Sequence, residues 1–469
     1  MNDLNSDELK DTWNCNILKV RDDPMPLFIK KEEDRFVVKQ EDGSSVSWLS
    51  NNICGIAEIR KRIEPWLTSL FQSEHLSLLV GCGLTIAIEK LATGKVSSSM
   101  AYPILSSKYK DKINKAATEQ AKLMKRGKPN IEDIIRVLND LLKGLRILDY
   151  EEDCKELASE LNNILFDFIE SIEDSENKVA TADNLLREQA FNTLVIFLMS
   201  FASRTGTRDR LNIFTTNYDR LLEAGAELAG IHFLDRFVGS LSPIFRSSRL
   251  DLDMHYNPPG IRGEPRYLEG VVRFTKLHGS IDWIESNRDI RRIGLPFGAK
   301  NIKSFLQVPG LIHQDCSQVL IYPNASKDRE TTDYPYVELF RDFASALCRP
   351  NSTIVTYGYG FGDDHINRII RDMLTIPSTH LVIIAFSDAD GKIKHFYESL
   401  SKGAQISLVI GKDLADISIL TNHFLPKPSI DKNTIRMGDI LKRRYGGQEN
   451  SEEEYTNNKN EIKQEGVDK

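Results

Sequence analysis

Leu211-Asn-Ile-Phe-Thr-Thr-Asn-Tyr-Asp-Arg-Leu-Leu222 is the stretch on which the fold turns. Its apolar run Leu211 to Phe214 reads as a buried strand, and a helix pattern over Leu221 to Leu228 follows almost at once. Between them stand Thr215, Thr216, Asn217, Tyr218 and Asp219. In an open parallel sheet, ligands bind at the carboxyl ends of the strands. The stretch therefore sets an amide and a carboxylate close together where chemistry is done. Asn and Asp also cap helices by accepting free backbone N–H groups, so these residues alone leave capping and catalysis both open.

Working outward, other segments repeat the strand-then-turn pattern. Upstream, Leu76 to Val80 is an apolar run that enters Gly81-Cys82-Gly83-Leu84-Thr85 and then a helix pattern over Ile86 to Leu91. Glycines between a strand and a helix let the backbone approach a diphosphate, and the helix N-terminus offers free N–H groups and a positive dipole end. The third glycine of the dinucleotide fingerprint is absent, so a tight strand-to-helix turn with Cys82 as a small packed residue is the alternative. Downstream, Arg262 to Arg273 leads into Phe274-Thr-Lys-Leu-His-Gly-Ser-Ile-Asp-Trp283, a strand ending at His278, Gly279 and Ser280. A lone histidine is commonly structural, but its titration near neutrality suits proton transfer. Val319 to Pro323 reads as another strand. Thr353 to Tyr357 enters a second glycine-rich turn, Gly358-Tyr-Gly-Phe-Gly-Asp-Asp-His-Ile-Asn367, and Leu381 to Phe386 and Ile406 to Ile410 are further apolar runs. Continuous apolar strands suit a parallel sheet covered on both faces. The fold class is α/β: a Rossmann-like, mostly parallel sheet.

Two other regions differ in texture. Residues from about 108 to 205 are nearly all helical in pattern, with helices starting after Asn130 as N-cap and running over Leu141 to Ile169 and Leu185 to Ser203. This is a large helical insertion covering the sheet. Glu132 and Asp133 within it either face a site or form a solvated first turn, the commoner case. Residues 1–55 form a small β-rich segment, with Leu27 to Lys30, Arg35 to Lys39 and Ser45 to Trp48 alternating as an antiparallel meander. An amphipathic helix over Ile56 to Phe71 leads into the main domain, residues 56–444. The polar stretch 445–469 reads as disordered.

Composition narrows the function classes. The chain has 469 residues, 41% hydrophobic and 28% charged, with net charge −7, as expected of a soluble globular protein. An acidic balance, with pI about 5.8, argues against direct nucleic-acid binding. The stretch after Met1 is polar and acidic, so no leader is expected, and the longest apolar run, Phe191 to Ala202, is too short to span a bilayer. The six cysteines, at 15, 54, 82, 154, 316 and 348, form no CxxC pair, which fits reduced thiols in a cytoplasm and suggests no metal.

Four motifs now stand in order: GCGLT at 81, TTNYD at 215, KLHGS at 276 and GYGFGDDHIN at 358. Over roughly residues 75 to 425 this order resembles the sirtuin-like family, the silent-information-regulator superfamily. The first motif looks like that family's GAGxS loop, the second like its TQNID segment, the third like its catalytic HG, and the fourth like its GTS-type loop. The set is most similar to the bacterial NADase branch that serves anti-phage defence by destroying NAD. Within that branch it most resembles the sirtuin-like subunit that pairs with a HerA-type ring ATPase. Ile321-Tyr-Pro-Asn-Ala-Ser-Lys and Val337-Glu-Leu-Phe-Arg341 share in the likeness. Cys82 and Thr85 depart from the Ala and Ser of the first loop, though Thr85 keeps a hydroxyl. The four-cysteine zinc module of the deacylases is missing, which argues against a protein deacylase.

The resemblance implies an NAD hydrolase, releasing nicotinamide and ADP-ribose, in a large homo-oligomer docked on a HerA-type ATPase in the cytoplasm. Cleaving nicotinamide needs little acid catalysis, because a cationic pyridinium leaves as a neutral base, through a transition state like a ribosyl oxocarbenium ion. Gly81, Gly83 and Thr85 are then expected to cradle the diphosphate. Asp219 is expected near the carboxamide, Asn217 at the ribose and water, and His278 as the general base. Gly358, Gly360 and Asp363 are expected on the adenosine side. Two other classes stay in view: an NAD-dependent deacylase or ADP-ribosyl transferase, which consumes NAD only with an acceptor, and a non-enzymatic NAD or ADP-ribose sensor, which has no need to keep Asn217 and His278.

Overall fold

The computed structural model describes residues 15–20, 23–33, 35–39, 46–49, 52–96, 103–123, 129, 131–204, 208–251, 253–256, 266–286, 289–300, 334–400 and 403–427. The fold lies within the unit Met1–Leu425. The expected strand at Val319 to Pro323, the cap at Asn130 and the polar stretch 445–469 lie outside the described residues.

The strands, in chain order, are β1 (Asn16–Lys19), β2 (Leu27–Glu32), β3 (Arg35–Lys39), β4 (Ile53–Cys54), β5 (His75–Val80), β6 (Asn212–Thr215), β7 (His232–Leu234), β8 (Phe237–Val238), β9 (Ile244–Phe245), β10 (His255–Tyr256), β11 (Arg266–Tyr267), β12 (Val271–Lys276), β13 (Trp283–Ser286), β14 (Asp289–Arg292), β15 (Ser352–Tyr357), β16 (His380–Ala385) and β17 (Ile406–Ile410). Eleven of them make one sheet, ordered β4-β3-β2-β1-β17-β16-β15-β5-β6-β12-β7. From β17 to β7 all neighbours are parallel. Small antiparallel sheets, β13-β14-β9-β8 and β10-β11, stand apart.

Strict alternation sorts the strand side chains between two cores. In β16, Val382 and Ile384 face one core and Leu381, Ile383 and Ala385 the other. In β6, Ile213 and Phe214 divide the same way. Side chains of a doubly covered sheet are buried on both faces and therefore mostly apolar, and the sequence runs are nearly continuous for that reason, with Ser77, Thr356 and Ser407 among the buried exceptions. One core is covered by α1 (Ile56–Phe71), α2 (Cys82–Thr93) and α7 (Leu221–Leu228), and the other by α8 (Tyr336–Leu347), α9 (Asp364–Met373) and α10 (Lys392–Glu398).

The insertion supplies α3 (Lys110–Leu123), α4 (Ile131–Ile147), α5 (Glu151–Ala180) and α6 (Asn184–Ala202). Helix α6 packs into the first sheet core, which Val179 near the end of α5 also joins, whereas α3 to α5 otherwise share a core of their own that takes in Tyr218 and Ile281. The helix expected over Leu141 to Ile169 is two: α4 stops at Ile147, the chain turns through Asp149 at φ 59°, and α5 begins at Glu151. Asp133 is fully buried, not solvated as expected. The reason is that residues 133–138 are buried without a break, so neighbours cover α4 on more than one face.

The N-terminal meander continues the main sheet. Strand β1, which the alternation did not single out, pairs antiparallel with β17 and with β2. All four of its residues are buried between those neighbours. Of Ser45 to Trp48, expected to be a strand, the described residues Val46 to Trp48 run into a turn instead.

The order of the parallel strands creates the site. Strand β6 lies on one side of β5 and β15 on the other, so the chain's connections leave in opposite directions from this point. In open α/β sheets, such a switch point opens a crevice at the strands' carboxyl ends.

Candidate active site

The crevice is a cleft of ≈ 220 Å³ lined by the segments that follow β5, β6, β12, β15 and β16, and by α5. It gathers Gly81, Thr85, Asn217, Asp219, His278, Gly360 and Asp363. The carboxyl ends of β5, β6, β12 and β15 thus share one edge, as the strand readings require.

Gly83 and Gly358 are placed differently. Neither lines the cleft. A Cβ on Gly83 would stand 2.6 Å from the Gly358 Cα, and one on Gly81 would stand 2.4 Å from the Gly358 carbonyl oxygen. Gly358 has φ +62°, and the Gly83 N–H donates to its carbonyl at 3.1 Å. These glycines let two strand-to-helix turns touch backbone to backbone. The helix after β5 also starts earlier than expected, at Cys82 with Gly81 as N-cap. Thr85 therefore sits in its first turn rather than in a loop.

A directed chain of hydrogen bonds runs from Thr85 to the opening stretch. The Asn217 amide nitrogen donates to the Gly81 carbonyl at 3.1 Å and to Thr85 Oγ1 at 3.0 Å. Thr85 Oγ1 in turn donates to Asp219 Oδ2 at 2.7 Å. The other Asp219 oxygen accepts the Leu221 N–H at 3.1 Å. Asp219 therefore stands just before Arg220, the N-cap of α7, and serves both the cleft and the helix start. Because both Asn217 amide protons are spent on the protein, its oxygen is the atom left to accept from a ligand or water.

The TTNYD and KLHGS segments are stitched to each other. The Tyr218 carbonyl accepts from the Ile281 N–H at 3.1 Å, from Ser280 Oγ at 3.2 Å and from Lys276 Nζ at 3.4 Å. Lys276, 2% exposed at its side chain, also donates to the Asp219 carbonyl and pairs with Glu223 at 2.9 Å. From the insertion side, buried Glu176 accepts the Arg220 N–H at 2.6 Å and pairs with its guanidinium. A loop that carries reacting groups is thereby fixed from three directions, which is what preorganisation requires.

His278 lies between two rings, with the Tyr218 centroid at 6.3 Å and the His365 centroid at 5.6 Å. His365 is backed by Phe340 in an edge-on contact at 4.7 Å, and Tyr218 by Phe168 of α5 at 5.5 Å. The second glycine turn is braced from within. Tyr359 Oη donates to Asn367 Oδ1 at 3.1 Å, and Asn367 donates to the Phe361 carbonyl at 2.9 Å. Burial pushes the Tyr359 phenol well above its ordinary range, so it stays a neutral donor.

Residues 211–408 match the family model of the SIR2-like domain. The match begins at the first residue of the opening stretch and runs into β17, so it takes in Asn217, Asp219, His278 and the second glycine turn. It supports the sirtuin-like superfamily and, with it, an NAD-related activity. No curated protein matches the chain. Gly81 to Thr85 lie outside the matched residues, yet the structure bonds them to the SIR2-like segment through Asn217, Asp219 and Gly358.

Several lining residues went unmarked in the sequence. Phe168, Ile172 and Ser175 come from α5 and Lys392 from the start of α10. An apolar stripe on a helix carries no sign of which cavity it closes. Lys392 gave more of a signal, since Asp388-Ala-Asp-Gly391 after β16 is another turn at the carboxyl edge of the sheet. Among the described residues, no group of three His, Cys, Asp or Glu is placed to hold a metal, and no helix is long and apolar enough to cross a membrane.

Proposed function

We propose that the protein hydrolyses NAD at the bond between nicotinamide and ribose, giving nicotinamide and ADP-ribose. The observation that carries this reading is the convergence of Thr85, Asn217, Asp219 and His278 on one cleft at the switch point of a sheet whose SIR2-like segment points to NAD. The order of strand ends supports a direction for the substrate. His278 follows β12, Asn217 follows β6, the α2 N-terminus follows β5, Asp363 follows β15 and Lys392 follows β16. At a strand spacing of ~4.8 Å, four intervals separate the two ends by ~19 Å. An extended dinucleotide laid across them puts the nicotinamide ribose by Asn217 and His278. Its diphosphate then meets the N-terminal turn of α2 and its adenosine meets Asp363 and Lys392.

In the reaction the C1′–N bond breaks, and its electron pair stays with the pyridinium nitrogen, which leaves neutral. Water adds to C1′ and surrenders a proton to His278. The Asn217 oxygen holds the water and ribose in line, and the Asp219 carboxylate faces the carboxamide. The test is NAD turnover by the full chain, with products resolved chromatographically. His278→Ala is expected to lower turnover by ~10²–10⁴-fold and Asn217→Ala by ~10²–10³-fold, with unfolding temperatures near that of the parent. Near-normal turnover by both variants would refute the assignment.

On the resemblance of the four motifs, we extend the proposal to cell biology. The enzyme acts in bacterial anti-phage defence by depleting NAD, as a large homo-oligomer joined to a HerA-type ring ATPase. Because uncontrolled NAD loss kills a cell, turnover should be low until the partner or infection releases it. Sedimentation with and without the ATPase tests the assembly, and a monomer at micromolar concentration in both cases rejects it.

A further inference from the structure

A second cavity, of ≈ 540 Å³, lies next to the cleft in the chain: Asp219 lines the first and Arg220 the second. Its apolar wall includes Phe233 and Phe274, stacked at 4.2 Å. Most of its charges are already matched. Arg220 pairs with Glu176, Arg292 with Asp235 at 2.5 Å, and Lys276 with Glu223 Oε1 at 2.9 Å.

Two carboxylate oxygens are left over. Asp282 is 6% exposed, yet its Oδ1 has no hydrogen-bond partner among the described residues, and neither has Glu223 Oε2. Both residues line the cavity. A carboxylate oxygen only accepts, so each needs a donor that the described residues do not supply. Burial pushes the Glu223 carboxyl up, Lys276 draws it down, and the Asp282 charge pushes it up again. The two acids are therefore close enough to repel, and although the Arg220 and Arg292 charges also act on Asp282, neither donates to its Oδ1.

We propose that this cavity is a binding site for a small organic cation with a flat apolar body, such as an amidine or guanidine. Its N–H groups donate to Asp282 Oδ1 and Glu223 Oε2, and its body lies on the stacked Phe233 and Phe274 rings. Each is a charge-assisted N–H···O bond, stronger than a neutral one, and a cation over an aromatic face adds to them. An occupant there rests against Arg220 and Glu223, which help to hold the loop that carries Asn217.

Benzamidine is the probe, titrated calorimetrically into the full chain without NAD, so the result does not depend on whether the protein hydrolyses NAD. Binding is expected with Kd about 1 mM or tighter, and about tenfold weaker for the neutral isostere benzamide. Asp282→Asn is expected to weaken benzamidine by about tenfold or more. Val238→Trp adds bulk to the cavity from a half-exposed lining position and leaves both acids in place, and it should abolish binding even if Asp282→Asn fails to fold. Absence of heat with benzamidine, equal affinity for benzamide, or unchanged affinity in either folded variant would overturn the proposal.

Discussion

Thr85→Val removes one hydroxyl and keeps the side chain's shape, so it isolates the bond chain that fixes Asn217. The Thr85 oxygen accepts from Asn217 at 3.0 Å and donates to Asp219 at 2.7 Å. The first is a neutral hydrogen bond, with a net contribution of ~0.5–1.5 kcal/mol, and the second reaches a charged group, at ~1.5–3 kcal/mol. Both lie at the cleft, where water can take over part of each role, so the expected loss of stability is ~1–2 kcal/mol. For a chain of this size that lowers the unfolding temperature by only a few degrees, at roughly 2–4 °C per kcal/mol or less. Turnover should suffer more. With one of its two anchors gone, the Asn217 amide can rotate, and a displacement of ~1 Å in a positioning group costs ~10²-fold. Thr85→Ser keeps both bonds and should stay near the parent. The assay is NAD turnover alongside thermal unfolding for both variants. If Thr85→Val retains turnover within about threefold of the parent, Asn217 is not held by this chain, and the preorganisation argument fails.

Two further perturbations test other parts of the structure. Gly83→Ala forces a Cβ to within 2.6 Å of the Gly358 Cα, a backbone atom that cannot swing aside; we expect ~1–3 kcal/mol of destabilisation, read as a lower denaturation midpoint, and an unchanged midpoint would show that the turns separate easily. His380 should govern acid stability. Burial, aided by Lys19, pushes it down to about 4 from 6.5, so its contribution is present above pH 6.5 and is lost as the pH falls through 4. At 1.36 kcal/mol per unit this amounts to about 3 kcal/mol, and His380→Gln should flatten stability between those limits in denaturant titrations at stepped pH.

The parallel strands were legible because their chemistry is local. A strand buried on both faces favours apolar residues along its whole length, and Leu76 to Val80 and Ile406 to Ile410 meet that demand at every position but Ser77 and Ser407. Helix α7 fell where its pattern placed it, at Leu221–Leu228. The glycines were harder to read. A glycine beside a strand end suits a phosphate cradle and a close backbone crossing equally well. Only the position of Gly358 against Gly83 separates the two, and these residues lie 275 positions apart (358 − 83). Asp133 was misjudged for a similar reason. A carboxylate in a first helical turn usually faces water, and nothing local reports that other helices close over it.

The helical insertion is where local reading stops, and its placement changes how the site should be understood. Tyr218 belongs both to the loop after β6 and to the core of α3 to α5, against Phe168 at 5.5 Å. Glu176 of α5 grips Arg220, one residue beyond Asp219. Breaking a buried pair by removing one partner leaves an uncompensated charge and costs ~3–5 kcal/mol, so the lobe cannot move off the sheet without disturbing the loop that carries Asn217. The insertion therefore acts as one wall of the site. A shift of α5 would act on Tyr218, which packs against Phe168 and lies beside the ring of His278, as well as on the sheet core that Val179 of the same helix joins.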